Sequence, residues 1–148
     1  MKAVDIMTKE VITVRIETPV KEVALVLTKN RISGVPVINR DNEMVGIITE
    51  ADLIALDKNI HFPTAITILG GVIYLNSKSF DQDLKKVIAT KAEDLMTKKV
   101  IFVSKETSLS EIATIMSEKR IHLLPVIENK KIIGIISKAD IVKTIANE

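Results

Sequence analysis

The chain contains no cysteine and no tryptophan. A disulfide scaffold, a thiolate metal site and a cysteine nucleophile are therefore excluded. Aromatic residues make up 3% of the 148 residues, so the core has to be assembled from aliphatic side chains. Two histidines, His61 and His122, are too few for a histidine-rich metal site, and no metal is expected. Charge of one sign is not in excess: 21 Lys+Arg against 19 Asp+Glu leave +2, which argues against nucleic acid or a membrane surface as partner. The basic pairs Lys85-Lys86, Lys98-Lys99 and Lys130-Lys131 are dispersed and interleaved with acids, as solvated faces are. The longest apolar stretch, residues 65–75, is interrupted by Thr67, Gly70 and Gly71 and is too short to span a bilayer. The N-terminus lacks a signal-peptide pattern, so a cytoplasmic protein is expected. With 47% hydrophobic and 27% charged residues, the composition is that of a folded globular chain rather than a disordered one.

What the chain does contain is a duplication. Asp5-Ile6-Met7-Thr8-Lys9 returns as Asp94-Leu95-Met96-Thr97-Lys98, and Val35-Pro36-Val37-Ile38 as Leu124-Pro125-Val126-Ile127. Gly46-Ile47-Ile48-Thr49-Glu50-Ala51-Asp52 returns as Gly134-Ile135-Ile136-Ser137-Lys138-Ala139-Asp140. The offset is 89 up to Asn39 and 88 beyond it, one residue being dropped in a turn near Asp41. Self-similarity of this regularity divides the chain into a first repeat, 1–56, an insert, 57–92, and a second repeat, 93–148.

Both repeats carry the same local signals. Val11-Ile12-Thr13-Val14 and Val100-Ile101-Phe102-Val103 are short β-branched runs that predict strands. Thr18 as N-cap and Pro19 at the first helical position open a helix whose apolar face is Val20, Val23, Ala24 and Leu27; its counterpart is Leu109, Ile112, Ala113 and Met116. Ser108 and Glu111 have capping-box spacing. A hairpin of two apolar strands follows, turning at 39–42 in one repeat and at Glu128-Asn129-Lys130 in the other, and a last helix begins near Ala51 or Ala139. The fold class is α+β, two β-α-β-β-α repeats. Strands apolar on both faces need cover on both, and a repeat of this size is close to the lower limit for folding alone. The repeats are therefore expected to pack on each other about a pseudo-twofold axis, with clefts between equivalent surfaces.

Thr49 and Asp52, like Ser137 and Asp140, stand three apart at a helix start. That spacing fits a capping box, with the hydroxyl as N-cap and the acid at N3. It equally fits a ligand site: a helix N-terminus suits a phosphate, and a carboxylate one turn in can accept from both hydroxyls of a ribose.

Asp-hydrophobic-Met-Thr at each start, the hydrophobic-Pro-Val-Ile strand and Gly-Ile-Ile-(Thr/Ser)-x-Ala-Asp at each end resemble the cystathionine-β-synthase (CBS) domain pair, the Bateman-type module. The resemblance covers the chain outside the insert. It implies a regulatory module that binds an adenosine-containing ligand, such as AMP, ADP, ATP or S-adenosylmethionine, in crossed clefts between the repeats. Carried onto this sequence, the first cleft would use Ser137 and Asp140 for phosphate and ribose, with Met7, Val11, Ile12, Ile32, Ser33 and Gly34 enclosing adenine. The second would use Thr49 and Asp52, with Met96, Val100, Ile101, Ile121, His122 and Leu123. Lys138 in the first cleft and Glu50 in the second would make the first prefer a phosphorylated ligand, unless both are merely solvated charges. Members with strong AMP binding carry an arginine after the histidine that precedes this strand; here that position is Leu123, and Arg31 and Arg120 are expected to point elsewhere. His122 is expected to be a packed, hydrogen-bonded residue before it is a ligand contact.

In the insert, His61-Phe62-Pro63 should break the preceding helix, Gly70-Gly71 should turn an apolar segment, and Ser79 should cap a helix with Leu84, Val87 and Ile88 on one face. An apolar insert needs cover from its own pair or from another subunit; the resemblance implies a homodimer joined through helices. No nucleophile–base constellation, P-loop lysine or metal cluster argues for an enzyme or a cofactor. The expected function is a stand-alone sensor of an adenosine ligand, signalling through dimer geometry to a separate effector protein. The alternative is a protein-interaction scaffold with vestigial clefts.

Overall fold

The computed structural model describes residues 1–57, 64–68, 71–75, 78, 81–82, 85–86 and 90–147, with the backbone alone for 57, 64–68 and 71–75. The first repeat comprises α1 (Ala3–Ile6), β1 (Val14–Arg15), α2 (Val20–Asn30), β2 (Gly34–Ile38), β3 (Met44–Thr49) and α3 (Glu50–Asp57). The second comprises α4 (Ala92–Leu95), α5 (Leu109–Glu118), β6 (Leu123–Glu128), β7 (Lys131–Ser137) and α6 (Lys138–Ala146). Between them β4 (Thr64–Ile68) and β5 (Gly71–Leu75) pair antiparallel as a separate two-stranded sheet. The expected break at His61-Phe62-Pro63, the turn residue Gly70 and the Ser79-capped helix with Leu84, Val87 and Ile88 lie outside the described residues.

Within each repeat an amphipathic helix covers a hairpin. Val23 and Leu27 of α2 pack with Val14, Val35, Val37 and Ile48; Ile112 and Met116 of α5 pack with Val103, Leu124, Val126, Ile136 and Ile141. All are buried, and each aliphatic side chain so buried contributes roughly 1.5–3 kcal/mol of transfer free energy. β1 runs parallel to β2 (Val14↔Val37), and β2 pairs antiparallel with β3 (Val35↔Ile48). β6 pairs with β7 in the same sense (Leu124↔Ile136).

The duplication extends to the irregularities. The register shifts at Val37/Ile38 and again at Val126/Ile127, and Arg31 and Arg120 both take φ 53°. The hairpin turns differ, where the residue is dropped. Residues 39–43 are held by the Asn39 side chain, whose Oδ1 accepts from the Asp41 and Glu43 amides at 2.9 and 3.0 Å. Asn129 and Lys130 (φ 51° and 66°) make a tight two-residue turn instead, whose left-handed pair matches the strand twist.

Three local expectations are corrected. α2 starts at Val20, with Pro19 in the cap position; the Thr18 hydroxyl instead accepts from the Arg15 amide at 3.0 Å, closing the turn before it. The last helices begin at Glu50 and Lys138, one residue early. The first strand is Val14–Arg15 alone, and in the second repeat a single Val103–Val126 bridge replaces it. The chain just upstream is drawn to the other repeat: Thr8 pairs with Ile135 and Thr97 with Ile47, two hydrogen bonds each at 2.9–3.1 Å.

That crossing governs the architecture. Ala3 of α1 is fully buried in the second repeat's core, with Ile6 and Met7 packed against it. Ala92 of α4 is fully buried in the first repeat's core, with Leu95 and Met96 beside it. Backbone bonds fasten both exchanges: Ala3 N donates to Thr107 O and Ala92 N to Thr18 O, each at 2.8 Å. The sequence boundaries at 56 and 93 therefore do not divide the molecule into separate cores. Each core is closed by a helix that precedes the other repeat's first strand.

Candidate functional site

β3 and β7 end at the hydroxyls Thr49 and Ser137, which sit at the N-termini of α3 and α6. Asp140 Oδ2 accepts from the Ser137 amide and hydroxyl, both at 2.7 Å, and the Asp140 amide returns a bond to Ser137 Oγ at 3.3 Å. Asp52 Oδ2 accepts from the Thr49 amide at 2.8 Å and the Thr49 hydroxyl at 3.2 Å. The capping geometry is thus present in both repeats, complete in the second. The next amides are also engaged: Glu50 N donates to Ser33 O at 2.9 Å and Lys138 N to His122 O at 3.2 Å. These bonds lash each helix start to the approach of the neighbouring strand, and so place Ser33 and His122 beside the acids.

A cavity of about 970 Å³ opens between the repeats. Of the sequence-derived candidates its wall holds Ile32, Ser33, Thr49, Asp52, Val100, Ile101, Ile121, His122, Leu123, Ser137 and Lys138. The set assigned to the second cleft comes together here except for Met96, and part of the first-cleft set joins it. Gly34 is buried with Leu123 against its Cα. Met7 and Met96 lie instead across Gly134 and Gly46. Val11 and Ile12 are not in this wall. Asp140 lines a smaller depression of about 410 Å³, with Met1, Asp5, Ile6, Thr8, Lys143, Thr144 and Asn147.

Several expectations change accordingly. Glu50 and Lys138, expected to distinguish two clefts, both line the one cavity. Arg31 and Arg120 do not point elsewhere; both are in the wall. A left-handed residue closing each helix turns the chain into the β2 or β6 approach and leaves the side chain on the cavity side. His122 is exposed, and its ring forms no hydrogen bond among the described residues, so it is not a packed core histidine. Lys99 was also missed. The available signal for the arginines was their identity in both repeats at offset 89.

The CBS-domain family model matches residues 3–59 and 92–147. The uncharacterised Methanocaldococcus jannaschii protein MJ1426 is 31% identical over 150 residues, covering 95% of this chain and 89% of its own. Among solved structures, CBSX2 in complex with AMP superposes with a TM-score of 0.76 at 24% identity, over 99% of this chain and 96% of that one. The CBS domain pair of MJ0100, in complex with 5′-methylthioadenosine and S-adenosyl-L-methionine, gives 0.72 at 23% identity, over 99% and 97%. At these identities the likeness is one of fold, and it extends over the whole length.

Proposed function

Since this chain belongs to the CBS-domain family, as two repeats matched over 3–59 and 92–147, we propose that it is a regulatory module whose central cavity takes an adenosine-containing ligand. The observation that carries the reading is the convergence, in one cavity, of aliphatic walls from both repeats with the Thr49–Asp52 and Ser137 helix starts. Ile32, Val100, Ile101 and Ile121 offer apolar faces to a purine, and Asp52 offers a carboxylate to a ribose. Relatives in fold hold AMP, or methylthioadenosine and S-adenosylmethionine, which supports the same ligand class here. In this reading the chain is regulatory rather than catalytic, and the ligand acts as a signal rather than a cofactor.

A ligand that touches both repeats shifts their relative arrangement only by binding one arrangement more tightly than another. Transmission to a separate effector protein through a homodimer belongs to this reading. Exposed Leu25 of α2, Ile54 of α3 and Val142 and Ile145 of α6 are apolar surface suited to such an interface. A cytoplasmic location is part of the same proposal; no described helix is long and apolar enough to cross a membrane.

Thermal unfolding against AMP, ADP, ATP, S-adenosylmethionine and GTP tests the proposal. Adenosine compounds at a hundredfold excess over Kd should stabilise by about 2.7 kcal/mol per site, and Asp52→Asn should reduce the shift while keeping a side chain that can cap α3. No shift with any adenosine compound would favour the scaffold reading, for which the self-satisfied capping acids are the supporting observation.

A further inference from the structure

The helix starts facing the cavity have few donors left for an anion. Thr49 and Glu50 amides are committed to Asp52 Oδ2 and Ser33 O; those of Ser137, Lys138 and Asp140 go to Asp140 Oδ2, His122 O and Ser137 Oγ. Formal positive charge for an anion in the cavity comes from side chains. Arg31, Lys99, Arg120 and Lys138 line it against Glu50 and Asp52, four cations to two acids, leaving +2. Among the described residues none of the four forms an ion pair or a side-chain hydrogen bond.

The arginines stand apart from the lysines. They are equivalent residues, one from each repeat, and each follows a helix with φ 53° and its amide bonded to the carbonyl three residues back at 3.3 Å. That backbone favours glycine or asparagine, yet the chain carries arginine in both copies. A conformation that penalises the side chain, adopted twice toward the same cavity, needs a reason beyond ending a helix.

We infer that Arg31 and Arg120 are the phosphate-binding pair of this cavity and that they select ligands by negative charge. Resting on the adenosine reading above, the preferred class is a nucleoside tri- or diphosphate over the monophosphate, with a sulfonium nucleoside disfavoured. Each planar guanidinium presents a fork of donors that fits two phosphate oxygens. Two forks from opposite repeats on one polyphosphate draw the repeats together, which couples ligand charge to the geometry of the pair.

Calorimetric titration of the full chain tests this, using ATP, ADP, AMP, adenosine, S-adenosylmethionine and inorganic tripolyphosphate as probes. Affinity should fall in the order ATP, ADP, AMP. Arg31→Gln and Arg120→Gln should each weaken ATP about tenfold or more, leave adenosine unchanged and flatten the ATP-to-AMP ratio in the double variant. Arg31→Lys with Arg120→Lys should fall between, keeping charge but losing the fork. Arg31→Asn with Arg120→Asn, which suits the left-handed backbone, should behave as the Gln pair and guards against a folding defect. AMP binding as tightly as ATP, or an unchanged ratio in the double variants, overturns the inference. If the protein binds no adenosine compound, the adenosine reading fails by itself: tripolyphosphate binding lost in the double variants would still sustain the arginine pair, and its absence would overturn the pair as well.

Discussion

Met7 lies across Gly134 of the opposite repeat, and a Cβ on that glycine would collide with the methionine's Sδ and Cγ atoms. Met96 and Gly46 repeat the relationship in reverse. The thioether can swing aside, but the methionine's own Cβ stands 3.0 Å from that position and has to give by a few tenths of an ångström. Gly134→Ala should therefore cost about 1–3 kcal/mol, the range for overpacking a filled site. Met7→Ala in the same chain should return part of that loss. Urea unfolding of the two single variants and the double gives the coupling directly; additive effects would mean that the contact is not tight.

The exchange of α1 and α4 makes neither repeat self-sufficient. Residues 1–57 carry α1 but lack Ala92, Leu95 and Met96, while 90–148 lack Ala3, Ile6 and Met7. Each fragment alone should show no cooperative thermal transition by circular dichroism, and an equimolar mixture should regain helix. Cooperative unfolding of either fragment by itself would contradict the exchanged-core account.

The capping acids are predicted to differ in ligand binding while resembling each other in stability. Removing either carboxylate strips the N-cap of its partner, and Asp52→Ala or Asp140→Ala should cost about 0.5–2 kcal/mol without any ligand. Asp52 lines the large cavity and Asp140 the smaller depression. Under the proposed function, Asp52→Asn should weaken nucleotide binding more than Asp140→Asn, as titration calorimetry of the two would show.

Lys2 and Glu106 form an ion pair at 2.6 Å that holds the segment before α1 against the second repeat. Hydrogen bonding to Lys2, then its charge, lowers the Glu106 carboxyl below its ordinary value; the same bond and charge raise the Lys2 ammonium. For the carboxyl, the stabilisation is present above the ordinary glutamate range and is lost as pH falls through the lowered value. For the ammonium it is present below the ordinary lysine value and is lost as pH rises through the raised one. Both groups are solvent-exposed, so the effect on global stability is small. It should still be visible locally: in Lys2→Met, the Glu106 carboxyl followed by NMR should titrate at higher pH than in the unaltered protein.

The repeat, its helices and its hairpins were legible because duplication prints every signal twice. A cap, an apolar stripe or a Pro-Val-Ile strand that recurs at offset 89 is far harder to misread than one seen alone. Membership of the CBS family followed from the same motifs. The capping spacing of Thr49 with Asp52 and Ser137 with Asp140 was legible too, since it is settled within four residues of chain.

Local pattern could not decide what depends on the packing of one repeat against the other. Which core receives Ala3 and Ala92, and that Met7 and Met96 cover glycines rather than line the cavity, are outcomes of the crossing. So is the meeting of Glu50, Lys138, Arg31 and Arg120 in one cavity, since each repeat contributes half of it. By itself the sequence determined the two repeats and the elements within each, because periodicity and caps act over a few residues. Only the tertiary structure decided how their surfaces combine, because a cavity wall is assembled from residues far apart in the chain and its charge belongs to none of its segments alone.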